Sequence, residues 1–171
     1  LFLLVYVGTE VSIGNWAYSV QTISRKTPEM VAGYSISAYW MGLTIGRMGL
    51  GYVIKRFGAV RTIDFSLALL TVGLLAWWLL PGQVLSLPIL GLALAAIFPT
   101  TMLLVPQRVT SALVPAAIGF LTSAASLGAA SIPTSVGWIA NWAGLEVIPI
   151  LMLPLAVVML LLHRWLARHT S

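Results

Sequence analysis

The chain has no cysteine, only four acidic residues and only two histidines among its 171. Without thiols there are no disulfides and no thiolate metal sites. His163 and His169 both lie near the C-terminal end, and no Glu-x-x-His or His-x-x-Glu pair exists. No metal and no cofactor are therefore expected. Charge of either sign is scarce: 8% of residues are charged and 60% are apolar, against roughly 25% and 45–50% in a soluble domain. A water-soluble fold of this size cannot hide so much apolar surface, so the expected solvent is the lipid bilayer. There is no glycine-rich phosphate loop and no Ser-His-Asp arrangement. An enzyme would lack its nucleophile, base or metal set, and none is expected. The net charge of +5 does not point to nucleic acid, because the basic residues stand singly or in pairs between apolar runs. They read as topology markers.

What is present is a series of long apolar runs. A span needs about 20 mainly apolar residues to cross the hydrocarbon core, and six segments qualify: 1–23, 31–54, 62–80, 84–105, 115–141 and 145–165. Helices are required, because backbone groups in lipid must be satisfied within the segment. Polar or turn-forming breaks separate the spans, including Arg25-Lys26-Thr27-Pro28, the basic stretch Lys55 to Arg61, and Pro81-Gly82-Gln83. Lys55, Arg56, Arg61, Arg108, Arg164 and Arg168 fall on one side of the membrane, and Arg25 and Lys26 on the other. The excess places the 2–3 loop, the 4–5 loop and the C-terminus in the cytoplasm. The chain opens on Leu1 inside an apolar run, with no initiator Met and no signal-peptide pattern. That is expected of a piece cut within or just before a helix, whereas the basic tail after the last span reads as a natural C-terminus.

An internal echo points to a repeat. Gly51-Tyr52-Val53-Ile54-Lys55-Arg56-Phe57-Gly58 is matched 86 positions later by Gly137-Trp138-Ile139-Ala140-Asn141-Trp142-Ala143-Gly144. An offset of three helices inverts topology, and the charges follow: Lys55 and Arg56 become Asn141 and Trp142. Inverted three-helix repeats characterise secondary transporters; chance likeness of two glycine-rich stretches is the plain alternative.

Glu10 is the sharpest chemical signal, the only carboxylate deep inside a span. A charge at the bilayer centre costs about 2.5–3.5 kcal/mol on insertion scales, so it should face a cavity or a partner. It reads as a proton-titrating or hydroxyl-binding group, or else as a structural ion-paired residue. Arg47 lies at a similar depth on the antiparallel second helix and is the natural partner to test; the alternative is that it snorkels to the cytoplasmic interface and serves the 2–3 loop. Tyr6, Glu10, Gly14, Ala17 and Gln21 share one face of the first helix by i, i+3/i+4 spacing, which suits a polar solute. Ser37, Trp40, Thr44 and Arg47 form a similar stripe on the second helix. Asn15, Tyr39 and Phe98 are further candidate solute contacts. Pro99 and Pro133 can kink their spans and free a carbonyl. Small residues such as Gly42, Gly46, Gly119 and Gly128 permit close helix approach.

At the end of the second helix, Gly46-Arg47-x-x-x-Gly51-x-x-x-Lys55-Arg56-Phe57-Gly58-x-x-Arg61 resembles the cytoplasmic motif of the major facilitator superfamily, typically Gly-x-x-x-Asp-Arg-x-Gly-Arg-Arg. Gly51, Arg56, Gly58 and Arg61 keep the pattern, and Lys55 stands where Asp is usual. Tyr6-Val7-Gly8-Thr9-Glu10-Val11, Phe98-Pro99-Thr100, Ser126-Leu127-Gly128, Pro133 and Gly137-Trp138 are similar to the C-terminal half of the fucose–galactose–glucose:proton symporters, fucose permease included. The resemblance implies an all-α membrane fold, residues 1–171 being the second six-helix half of a twelve-helix transporter whose N-terminal half is the missing partner. It implies proton-coupled uptake of a sugar or similar small polar solute across a bacterial inner membrane by alternating access. In that reading Glu10, Tyr6, Gln21, Asn15, Tyr39 and Phe98 contact solute, while Arg47, Gly51, Lys55, Arg56, Gly58 and Arg61 steady the cytoplasmic side. The main proton-coupling carboxylates would lie in the missing half. Two rivals stay open: a major facilitator exporter of drugs or metabolites by proton antiport, and a polytopic membrane module without transport activity.

Overall fold

A computed structural model of the chain describes residues 1–80 and 84–169. The turn read at Pro81-Gly82-Gln83 and the tail residues Thr170 and Ser171 lie outside the described residues. Every regular element among the described residues is a helix. These are α1 (Phe2–Ser19, prolonged by a π-helical turn, Val20–Ser24), α2 (Glu29–Phe57), α3 (Ala59–Leu79), α4 (Ser86–Ala95), α5 (Ile97–Arg108), α6 (Val114–Ala143, preceded by a 3₁₀ turn, Ser111–Leu113) and α7 (Val147–His169). Four stretches among the described residues are long and apolar enough to cross a membrane: Ala59–Leu79, Ser86–Arg108, Ser111–Ala143 and Val147–His169. α1 and α2, which carry Glu10 and Arg47, are not among them.

The segment read as one helix over 84–105 is two helices laid end to end. Pro99, in the first turn of α5, has no N–H to give the Ala95 carbonyl, and the chain breaks at Ala96 between them. Gly58 alone joins α2 to α3. Its φ of 84° and ψ of 156° lie in a region open essentially to glycine. Its N–H donates to the Ile54 carbonyl at 2.8 Å, and its own carbonyl accepts from the Thr62 N–H at 3.1 Å. Gly144, 86 positions later, closes α6 in the same way, with φ 86°, ψ 161° and its N–H donating to the Ala140 carbonyl at 2.9 Å.

The most extensive packing pairs α1 with α6 and α2 with α4, and α3 lies against both α4 and α7. Glycines set the two main contacts. A methyl group on Gly128 of α6 would strike the Leu4 carbonyl of α1, and one on Gly91 of α4 would strike the Tyr39 carbonyl of α2. In lipid, dispersion contact and fitted small residues drive such association, since the tails are as apolar as leucine. Tyr6, Ile13, Tyr39, Leu67, Leu70, Leu74, Trp77, Leu90 and Leu94 fill the interior.

Charged groups fasten the two ends. At one end, Arg25 donates from Nε and Nη2 to the two oxygens of Glu146 at 2.8 and 2.9 Å, and from Nη2 to the Trp77 carbonyl at 2.8 Å. Ser24 Oγ donates to the same carboxylate at 3.0 Å. One guanidinium thus ties the end of α1 to the end of α3 and the turn before α7. At the other end, Arg164 of α7 donates from Nε to Asp64 of α3 at 3.0 Å. There the His163 ring, 2% exposed, has Nε2 3.6 Å from Asp64 and lies 6.2 Å from the Phe2 ring.

Two outcomes follow. Gly128→Val should push α1 off α6, destabilise the detergent-purified full-length protein by the ~1–3 kcal/mol typical of overpacking, and lower its melting temperature accordingly. Gly119→Ala, which meets open space, should leave it unchanged. Hydrogen bonds from Arg25 hold the Glu146 carboxyl below the ordinary carboxylate range. A depressed folded-state pKa contributes stability that is full above the unfolded value, about 4.3, and is lost as pH falls through the folded one. The melting-temperature gap between wild type and Glu146→Gln should therefore be widest near neutrality and close in acid; a gap constant with pH would show that the clamp's charge contributes nothing.

Candidate functional site

Glu10 lies at the middle of α1, where α1 meets α2 and the α4–α5 break, and three groups converge on it. Tyr6, one turn earlier on α1, donates its hydroxyl to Glu10 Oε2. The same hydroxyl lies 3.0 Å from the Leu94 carbonyl of α4. From α2, Tyr39 donates its hydroxyl to the Glu10 backbone carbonyl at 2.9 Å, and Arg47 brings Nη2 to 3.6 Å from Oε2. The expected Glu10–Arg47 partnership is thus present. The Glu10 side chain is 13% exposed and that of Arg47 43%, so the pair sits at the margin of the packed interior.

The remaining candidates fall into two groups. Tyr6, Tyr39 and Gln21 are fully buried. The face Tyr6, Glu10, Gly14, Ala17, Gln21 therefore packs inward instead of lining open space. Gly14 leaves a notch that the Trp40 ring of α2 occupies, and Ala17 is completely covered. Phe98 is partly buried, its ring 6.3 Å from that of Tyr6. Tyr6 and Tyr39 touch the carboxyl side chain and its backbone, and so orient Glu10. Gln21 lies in the π-helical turn, its backbone carbonyl accepting from the Thr27 N–H at 2.9 Å. Its amide oxygen and nitrogen have no hydrogen-bond partner among the described residues.

Asn15 is exposed. So are Ser37, Trp40, Thr44 and Arg47, and the stripe read on the second helix is an open face. Ser37 and Thr44 donate their hydroxyls back to the carbonyls of Gly33 and Trp40, which leaves the hydroxyl oxygens free to accept. The Trp40 ring stands edge-on to Tyr39, with centroids 5.1 Å apart. An ion pair, an aromatic plate and accepting hydroxyls therefore share the open α1–α2 seam. This set can bind a neutral polar molecule and can exchange a proton at Glu10.

The motif residues lie away from that seam. Gly51, Lys55, Arg56, Gly58 and Arg61 are all exposed around the α2–α3 turn, and the Arg56 guanidinium is 5.8 Å from the Phe57 ring. Lys55, Arg56 and Arg61 enter no ion pair among the described residues. Sequence reasoning missed the Arg25–Glu146–Trp77 clamp and the Asp64–Arg164 pair. Their signal was thin: each consists of an ordinary loop-side charge whose partner is 100 or more residues away. It also missed Trp16, whose Nε1 donates to the Pro133 carbonyl of α6 at 3.0 Å.

Comparison with known proteins gives a matching picture. Residues 1–171 match the family described as Major Facilitator Superfamily. The chain is 26% identical over 164 residues to Bypass of stop codon protein 6 of Saccharomyces cerevisiae, covering 88% of this chain and 33% of that protein. It is 29% identical over 143 residues to the Glucose/mannose transporter GlcP of Bacillus subtilis, covering 82% of this chain and 35% of that protein. The chain thus spans about a third of the length of the curated relatives it matches. No solved structure matches it significantly.

Proposed function

The chain belongs to the major facilitator superfamily, and from that membership we propose that the whole protein is a secondary transporter, not an enzyme, that takes up a sugar or similar small polar solute with a proton by alternating access. It is an integral, multi-pass membrane protein of a transporter family. The carrying observation is the Glu10–Arg47 pair, held by Tyr6 and Tyr39 beside the open face of Trp40 and Thr44. A relative is a glucose/mannose transporter, and the neutral, hydroxyl-accepting character of the seam supports a sugar here too. Within the solute site, Glu10 reaches the solute directly, whereas Asn15 opens toward Trp16, Pro133 and Thr134 on the α1–α6 side. Tyr6, Tyr39, Phe98 and Gln21 shape the wall behind Glu10 and reach the solute when the helices part.

The proposed architecture is six spans in two mirrored triplets. Three likenesses between the two halves support it. Gly58 and Gly144 share one backbone conformation. The α1–α6 contact has its mirror in α4 against α2. Gly42 faces the Pro88 carbonyl just as Gly128 faces that of Leu4. The partner proposed for the chain is a second six-helix half, preceding this one in the whole protein. The exposed run Tyr34, Met41, Ile45, Met48 and Tyr52 on α2, together with the largely exposed α6, supplies the face for it. Lys55, Arg56, Arg61, Arg108, Arg164 and Arg168 gather at the end fastened by Asp64. That supports a cytoplasmic C-terminus, in a bacterial inner membrane.

Protonation gives the pair its work. The Tyr6 hydroxyl has one hydrogen and two acceptors in reach, Glu10 Oε2 and the Leu94 carbonyl. A protonated Glu10 donates to the Tyr6 oxygen, and Tyr6 then donates to Leu94. Neutral Glu10 also loses its attraction for Arg47, so α1 is released from α2. Glu10→Gln in the full-length protein should change the affinity for hexose, or the pH dependence of that affinity, in proteoliposomes. Uptake with unaltered affinity across pH would reduce Glu10 to a structural residue. Efflux against the gradient in wild type would favour the exporter reading.

A further inference from the structure

We propose that the groove between α1 and α6 beyond Trp16 is an outer subsite for a neutral polyhydroxylated ring of monosaccharide size, occupied before the solute reaches Glu10. The inference rests on the transport reading above and adds a second place of binding to it. The groove holds about 420 Å³ and is lined by Trp16, Ile23, Ser24, Gly137, Asn141 and Leu145, among others. An adjoining hollow of about 270 Å³ shares Trp16 and adds Asn15, Pro133 and Thr134. The larger volume alone falls in the range of small-molecule sites, about 300–1,000 Å³.

Trp16 is a fixed plate. Its Nε1 donates to the Pro133 carbonyl at 3.0 Å, and its six-membered ring occupies the space a side chain at Gly137 would take. A ring held by one hydrogen bond and one glycine notch loses little freedom when a ligand stacks on it. The C–H face of a pyranose is the apolar surface that fits such a plate.

The polar groups around the plate suit hydroxyls. Asn15 and Asn141 are exposed, and their side-chain amides make no hydrogen bond among the described residues. Each amide offers two donors and an acceptor, the pairing a sugar hydroxyl needs because it both donates and accepts. Thr134 already donates to the Ala130 carbonyl and Ser24 to Glu146, so their oxygens remain as acceptors. None of the lining residues is charged, so an ionic solute would find no counter-charge and the subsite selects a neutral one. Trp16 lies six residues beyond Glu10, about 9 Å along the helix axis, toward the end closed by the Arg25–Glu146 clamp. A solute at Trp16 is therefore a separate occupancy from one at Glu10.

The test uses the full-length protein in proteoliposomes with labelled glucose, mannose, galactose and fucose. Asn141→Ala and Asn15→Ala each remove one neutral hydrogen bond at an exposed position and should raise KM for the transported hexose by about two- to tenfold with little change in kcat. Asn141→Gln should recover part of the loss. Asn141→Trp should fill the groove and suppress uptake, and Trp16→Phe should raise KM as well. A wild type that transports a hexose while both alanine variants keep its KM overturns the outer subsite and leaves the transport reading standing. A wild type that takes up none of the four hexoses overturns the sugar reading and the subsite with it.

Discussion

Two contacts of backbone on backbone, α6 on α1 at Gly128 and α4 on α2 at Gly91, fix where every other group in this protein lies. Side chains between helices normally hold their axes apart by 8–10 Å. Where a glycine meets a carbonyl the axes come closer, and the side chains on either side of the contact are aimed instead of merely spaced. Tyr39 reaches the Glu10 carbonyl because α2 is seated on α4 at that level. Trp16 reaches Pro133 because α1 is seated on α6. In a bilayer no hydrophobic gain favours helix contact over lipid contact, so these fitted surfaces are what make the arrangement specific.

Charge is distributed with the same economy. Glu10 and Arg47 cancel within the helices, and Arg25 cancels Glu146 at one end. The excess of positive charge gathers at the opposite end around the α2–α3 turn and the last turns of α7, where Asp64 is the single described acid. A charge left alone in hydrocarbon costs several kcal/mol, which explains why Glu10, Asp64 and Glu146 each have a named cation beside them. It also explains why the Glu10 pair has consequences: altering one proton there changes the only ionic contact between α1 and α2 among the described residues. The groove at Trp16, by contrast, has no charge to respond with, and its chemistry is that of stacking and amide hydrogen bonds.

Much of this was legible beforehand. The apolar runs announced an all-helical chain, because composition and the cost of unpaired backbone leave no other structure available, but the run read as one helix over 84–105 is two. Glu10 and Arg47 could be matched because depth along two antiparallel helices is simple arithmetic at 1.5 Å per residue. Pro99 announced a break, and Gly58 and Gly144 announced matching turns. The inward face of α1 was not legible. Helical spacing groups Tyr6, Glu10, Gly14, Ala17 and Gln21 together, but it does not say whether that face meets a cavity or a neighbouring helix. The Trp40 ring entering the Gly14 notch is a fact about α2, seen only once the two helices are placed.

The sequence by itself determined the apolar solvent, the helical class and the family, since each depends on local composition and on short motifs. The tertiary structure alone decided which groups are neighbours across 50 to 120 residues of chain: Arg25 with Trp77 and Glu146, Arg164 with Asp64, and Trp16 with Pro133 and Gly137. Those pairings follow from the rotation and closeness of packed helices. Periodicity leaves both free until the glycine contacts set them.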